Sequence, residues 1–280
     1  MSIKKQLKYF LPPIFLSMYN YLLGNEIRFS GSYKSWGEAS VNATGYDSAS
    51  ILDKVIVATN KVISGQAKFE RDSIIFDIVH YPFPLIATLL RAATENRGQL
   101  TVVDFGGSLG SSYYQCRDFL QGVNNLHWCV VEQAHFVESG SAHFATKNLS
   151  FFYQMKDVWT THQPNVILFS GVLQYLPEPF VVLKEAIDSQ VEYIIIDRTP
   201  FIEYGVSIIS LQKVPTQIIN SSYPVWLFNE SEFKQIFSGK YSEITSFDAL
   251  DGVIGQGRLK ANFKGIVFKI IRESGDTVKP

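Results

Sequence analysis

The sequence predicts an α/β fold built on an open, mainly parallel sheet that ends in an antiparallel pair. Three observations point to it. From about residue 97 onward, short apolar runs alternate with segments of helix length, the pattern of a parallel sheet covered by helices on both faces. The apolar runs are rich in β-branched and aromatic residues, which suit strands. The chain closes with two further runs joined by the glycine-rich DGVIGQGR, which reads as an antiparallel hairpin.

The five parallel strand candidates are LTVVDF (100–105), LHWCVVE (126–132), LSFFYQ (149–154), NVILFS (165–170) and VEYIIID (191–197). Between them SSYYQCRDFLQ, AHFVESGSAHFATK and PFVVLKEAIDSQ have the length of helices, so right-handed crossovers are expected. A further helix, ESEFKQIFSG, follows Asn229, with Glu232 three residues on and Gly239 at its end, a capping box and a glycine stop. The closing strands are SEITSFDAL (242–250) and KGIVFKII (264–271).

Residues 1–96 read as a mostly helical amino-terminal extension, as in SASILDKVIVATNKVISG, with Ser48 as cap and Gly65 as stop. Residues 97–280 form the core. Within them 198–228 is an excursion without clear periodicity, suited to a lid or substrate wall.

A chain of 280 residues buries a core without disulfides. Cys116 and Cys129 fall inside a helix and a strand, as small buried hydrophobes, so no metal is expected and a reducing cytoplasm fits. A net charge of −1, from 25 basic and 26 acidic residues, provides no field for a nucleic-acid backbone. In MSIKKQLKYFLPPIFLSMYNYLLG the apolar run is broken by Pro12-Pro13 and no cleavage site follows, against a signal peptide or a spanning segment. Ile14, Phe15, Met18 and Leu22 recur at helical spacing, which predicts an amphipathic helix packed on the body. The alternative for residues 1–24 is a peripheral contact with the inner face of a membrane.

The stretch with most chemistry is DFGGSLGSSYY at 104–114, straight after a strand. Counted from Gly106 or from Gly107, it fails the G-x-G-x-x-G dinucleotide pattern, and it has no lysine for a P-loop. It fits acid-x-G-x-G-x-G, with Asp104, Gly106, Gly107 and Gly110, and with Ser108 in the middle glycine's place. Such a turn lets a cofactor approach closely, and the carboxylate organises the turn or meets an ammonium group.

The second strand ends in Glu132, where a carboxylate accepts ribose hydroxyls, and Gln133 follows. At the end of the third strand the acid expected to contact an adenine is absent: QMKD offers Gln154 and Met155 first and Asp157 late. Ser170 and Gly171 end the fourth strand, with Gln174 and Tyr175 one turn later. The fifth ends in Asp197 and Arg198. Candidate bases are His135, Asp197 and Tyr223, with His80 as a further histidine. Arg198 is an alternative holder of a substrate carboxylate or phosphate.

Together these stretches resemble a bacterial family of class I S-adenosylmethionine (SAM)-dependent methyltransferases encoded among surface-polysaccharide biosynthesis genes. The resemblance covers FSGSYKSWGEA (29–39), GYDSASIL (45–52), FERDS (69–73), DFGGSLGSSYYQ (104–115), VVEQAHFVESG (130–140), SGVLQYLP (170–177), IIIDRTPF (194–201) and SYPVWLF (222–228). It implies a Rossmann-like seven-stranded sheet, SAM as cofactor, and a sugar or glycan hydroxyl as acceptor. The amino-terminal motifs, outside the common core, are expected to shape the acceptor pocket through Tyr33, Trp36, Glu70 and Arg71. The competing readings are an idle SAM-fold scaffold for a membrane glycan-assembly complex and, against the glycine count, an NAD-dependent sugar dehydrogenase.

Overall fold

The structure, a computed structural model, describes residues 27–44, 48–71, 73–203, 205–214 and 221–272. In chain order it contains β1 (Arg28–Tyr33), α1 (Trp36–Asn42), α2 (Ser48–Ile63), β2 (Phe69–Arg71), β3 (Ile74–Phe76), α3 (Phe83–Glu95), β4 (Gln99–Phe105) and α4 (Ser111–Cys116). Then follow β5 (Asn125–Val131), α5 (Ala134–His143), β6 (Leu149–Phe152), α6 (Met155–Val158), β7 (Val166–Ser170), α7 (Pro179–Asp188) and β8 (Tyr193–Ile202). The chain closes with β9 (Ile208–Lys213), β10 (Ser222–Asn229), α8 (Glu230–Gln235), β11 (Tyr241–Ile254) and β12 (Ala261–Ile270).

Across the main sheet the order is β6-β5-β4-β7-β8-β12-β11, parallel as far as β8, with β12 antiparallel to both β8 and β11. From β4 the chain fills one side with β5 and β6, then crosses to the other with β7 and β8. The crevice at the carboxyl end of β4 is therefore a topological switch point, where open α/β sheets bind ligands. Strand alternation packs both faces. Val102, Val130, Leu168 and Ile195 join Leu85 and Leu89 of α3 and Val137 of α5 in one buried cluster. Val103, Cys129, Ile167 and Ile194 join Leu183 and Ile187 of α7 and Phe233 of α8 in the other. Each such side chain contributes about 1.5–3 kcal/mol by burial.

Several elements differ in detail from their sequence pattern. The helix after the glycine turn stops at Cys116, and residues 117–122 continue as turns. At α8 the Asn229 side chain accepts the Glu232 N–H at 3.0 Å, but the Glu232 carboxylate bonds Ser207 instead of reaching back to the cap. The amino-terminal region is mixed, not mostly helical: beside α1 to α3 it supplies β1 and the β2–β3 hairpin. The helix expected near residues 13–24 lies outside the described residues. Among the described residues no helix is long and apolar enough to cross a membrane.

The 198–228 excursion is largely strand. β7 ends at Ser170 opposite Asp197, whereas β8 runs on to Ile202. On that overhang β10 pairs in parallel through Phe228 and Asn229, in line with β7. β9 pairs antiparallel with β10, and β1 with β9. This three-stranded meander stands over the carboxyl rim of β7. Its faces are both packed, by Phe29, Val225 and Leu227 on one side and Ala39, Ile209 and Leu211 on the other.

Where the overhang begins, β8 carries a bulge. Ile196 pairs with Ile266 and Thr199 with Lys264, so Asp197 and Arg198 both face Gly265 alone. Arg198 has φ 51, a left-handed conformation uncommon for a side-chain-bearing residue. At Gly265 a Cβ would overlap the Phe247 ring, so any side chain there would displace that ring. Bulges of this kind re-aim side chains beside active sites.

Candidate active site

The β4–α4 turn has three left-handed positions in alternation: Gly106 (φ 72), Ser108 (φ 55) and Gly110 (φ 96). That is the physical reason for glycine at alternate places, and Ser108 adopts the middle one at a cost of about 1–2 kcal/mol. A Cβ at Gly106 would overlap Cγ2 of Val172, and one at Gly107 would stand 2.5 Å from the Asp104 carboxyl. Asp104 lies beneath the turn, 1% exposed, and accepts the Trp128 indole N–H at 2.9 Å. This position fits the turn-organising role open to it.

Burial pushes the Asp104 carboxyl up to about 7, the Glu132 charge adds to the shift, and the Trp128 bond opposes it. The folded state thus keeps a proton that the unfolded chain releases near pH 4. Stability from this group is full below that value and is lost as pH rises to about 7. Asp104→Asn preserves an oxygen for Trp128 and removes the ionisation. It is expected to stabilise the protein by roughly 2–4 kcal/mol at pH 8 and far less at pH 5. Guanidinium unfolding at the two pH values measures this, and parallel pH dependence in both proteins would contradict it.

Glu132 stands half-buried just past β5 and ties the turn to this strand. Its Oε1 accepts the Ser108 N–H at 3.3 Å and its Oε2 the Gln133 N–H at 2.7 Å. Burial raises its pKa against these two bonds and the nearby His135. Each oxygen retains a further lone pair. Gln133 is exposed at the start of α5. The His135 ring packs on Phe136 at 4.9 Å, and its Nε2 is buried without a hydrogen-bond partner. Three strand spacings, roughly 14 Å, separate β5 from β8, and the His135 charge acts on Glu132 just past β5. His135 is thus associated with the Glu132 end of the site, apart from the other candidate bases. Beyond β6, Gln154 is exposed, Met155 packs in the core, and Asp157 follows within α6.

At the β7–β8 rim, Ser170 Oγ donates to Asp197 Oδ2 at 2.9 Å, and the Gly171 N–H donates to the Asp197 carbonyl at 3.0 Å. Burial raises the Asp197 pKa, moderated chiefly by the Arg198 charge and the Ser170 bond. The Arg198 guanidinium is forked onto Asp251 of β11, with Nε 3.1 Å from Oδ2 and Nη2 3.3 Å from Oδ1, and rests against Gly171. Gln174 and Tyr175 lie in a 3-10 turn, Leu173–Tyr175. The Gln174 amide donates to the Arg198 carbonyl at 3.2 Å, and its Oε1 is buried without a partner. Tyr175 donates to Gln212 Oε1 at 3.2 Å, and Gln212 Nε2 donates to the Tyr223 hydroxyl at 3.0 Å. Tyr223 is therefore one end of a tyrosine–amide–tyrosine chain.

Glu70 accepts a hydrogen bond from Ser111 Oγ beside the glycine turn. Arg71 lines a cavity together with Asp197 and Arg198. Tyr33 and Trp36, in contrast, pack with Ile209, Leu211 and Trp226 on the opposite face of the meander, away from this cavity. His80 is exposed, and its carbonyl accepts the Gln115 amide at 2.6 Å. Tyr113 turns to the core and packs on Trp128 at 5.9 Å. Sequence reasoning missed Asp251, Gln212 and Trp128. Each acts through a partner distant in sequence, and none carries a local motif.

No family model matches the chain, and no curated protein matches it. Among solved structures, the chain is similar to the N-terminal domain of EvdMO1 in the presence of SAH and D-fucose, at 14% identity and a TM-score of 0.45, over 76% of this chain and 97% of that one. It is similar to SAM-bound CalS10, an amino pentose methyltransferase from Micromonospora echinaspora involved in calicheamicin biosynthesis, at 8% identity and a TM-score of 0.42, over 66% and 90% of the two chains. Magnesium protoporphyrin IX methyltransferase from Synechocystis PCC 6803 with bound SAM gives 12% identity and a TM-score of 0.38, over 80% and 98%.

Proposed function

We propose that the chain is a class I SAM-dependent methyltransferase that methylates a hydroxyl of a sugar, glycan or related small polar acceptor in surface-polysaccharide biosynthesis. One observation carries the cofactor reading: at the topological switch point, Glu132 is bonded to the middle of a turn left-handed at three alternate positions. The antiparallel β12 between β8 and β11 supports the methyltransferase form of the sheet. The residues present fit the group. Gly106 and Gly107 carry no side chain, so the turn's backbone can approach the group closely, Glu132 has lone pairs left for ribose hydroxyls, and His135 Nε2 offers a buried polar atom beside them. Gln133, Ser170 and Gly171 complete the cofactor lining. The polysaccharide setting rests on the resemblance carried by the family motifs, and a cytoplasmic location on the reading of Cys116 and Cys129 as buried free thiols.

SAM supplies a methyl group on a sulfonium sulfur, which an acceptor oxygen takes by in-line displacement. The chain's part is to align that oxygen and take its proton. Asp197 is the base we assign: its raised pKa increases its affinity for a proton, Ser170 fixes one oxygen, and the β8 bulge sets its direction. Arg198 is a positioning residue, locked by Asp251. Gln174, Tyr175, Glu70 and Arg71 flank the acceptor, and the meander is its wall. Tyr223 steadies Tyr175 through Gln212. Isothermal titration calorimetry tests the reading. One SAM per chain with negligible NAD binding is expected, and preference for NAD would overturn it.

A further inference from the structure

The cavity at the β8 bulge is lined by Arg71, Asp197 and Arg198, by Phe247–Leu250 of β11, and by Tyr81–Pro84. Its volume is about 90 Å³, the space of roughly three waters. It therefore admits the edge of a small molecule and not the whole of one. Two rings of the lining, Tyr81 and Phe83, form a closed set with the neighbouring Phe119: Tyr81 and Phe119 at 4.9 Å, Phe83 and Phe119 at 5.7 Å, Tyr81 and Phe83 at 5.9 Å. Tyr81 packs on the core, but Phe83 is 58% and Phe119 39% exposed. Phe83 and Phe119 thus keep contiguous apolar surface open beside a charged cavity, and such surface marks binding sites.

The two parts together define a ligand. It must present a hydroxyl-bearing edge to Asp197, Asp248 and the two guanidinium groups, and an apolar C–H face to flat rings. A pyranose has both on one six-membered ring, and a phenol lacks the second hydroxyl that the opposed charges call for. We propose that this cavity and its aromatic rim form a pyranose subsite, in which the sugar rests on Phe83 and Phe119 and directs one hydroxyl to Asp197. The inference rests on the methyltransferase reading for the fate of that hydroxyl. The oxygen forms its bond to the methyl carbon as the carbon–sulfur bond breaks with its electron pair to sulfur, and the hydroxyl proton passes to the Asp197 carboxylate.

Saturation-transfer difference NMR with methyl α-D-glucopyranoside, methyl α-D-galactopyranoside and phenol, each with S-adenosylhomocysteine present, tests the subsite. At least one pyranoside should show saturation concentrated on its ring C–H protons. Phe83→Ala, at a largely exposed position that folding tolerates, should weaken it at least about fivefold, as should Asp197→Asn. Val181→Ala, exposed on α7, should leave it unchanged. Saturation of phenol alone, of no probe, or of a pyranoside equally in wild type and Phe83→Ala would overturn the proposal. Calorimetry with SAM on the same samples separates the two readings: pyranoside binding without SAM binding leaves the subsite and removes the methyltransferase assignment, and the converse does the opposite.

Discussion

Replacing Glu132 by alanine is expected to weaken SAM binding at least about 100-fold. Hydrogen bonds to a charged acceptor contribute about 1.5–3 kcal/mol each, and loss of a pair of ribose hydroxyl contacts is on the order of 3 kcal/mol or more, two decades in Kd. The variant also frees the Ser108 and Gln133 N–H groups that the carboxylate now holds, which loosens the turn in the same direction. Folding should be little affected, because burial already opposes the charged form of this side chain. Glu132→Gln keeps the shape and one acceptor oxygen and should fall between the two. Calorimetric titration of wild type and both variants, with thermal melts as a folding control, measures the effect. Unchanged affinity in Glu132→Ala would remove this residue from the cofactor site.

The largest loss of stability is expected from Gly106→Ala. Two terms add: a left-handed backbone carrying a Cβ, about 1–2 kcal/mol, and overlap with Val172, about 1–3 kcal/mol. A loss of about 3 kcal/mol in denaturant titration is the expected result. The overlap has a single partner, so it can be separated. In Gly106→Ala combined with Val172→Ala the steric part should be recovered and the backbone part retained, giving a favourable coupling of about 1–2 kcal/mol in a double-mutant cycle. Strict additivity would mean that the turn relaxes away from Val172 and that the close approach does not shape it.

Much of this architecture is legible in the sequence because the β4 to β8 runs are buried on both faces and read as continuous apolar segments. The alternate left-handed positions of the turn were equally visible, since glycine marks them and only Ser108 departs. The meander was hidden for the opposite reason. β10 packs against different clusters on its two faces and carries Pro224, so neither alternation nor a clean apolar run survives, and proline argues against a strand. Tyr33 and Trp36 were assigned to the acceptor by residue type, but aromatic rings serve cores equally well, and here Leu211 and Trp226 take them up. The bulge at Asp197 and Arg198 depends on Gly265 and Asp251 from the last two strands. Pairing between such distant segments leaves no local trace.

The meander also fixes an order of events. The turn, Glu132, Ser170 and Gly171 come from one continuous stretch, with every element from β4 to β7 already made when residue 171 is complete. The wall over them closes differently: Arg28 pairs with Lys213, so β1 leaves the ribosome early and has no partner until β9 follows. The glycine turn and Glu132 have their parts ready first, and the wall over them must wait until β9 is made and meets β1.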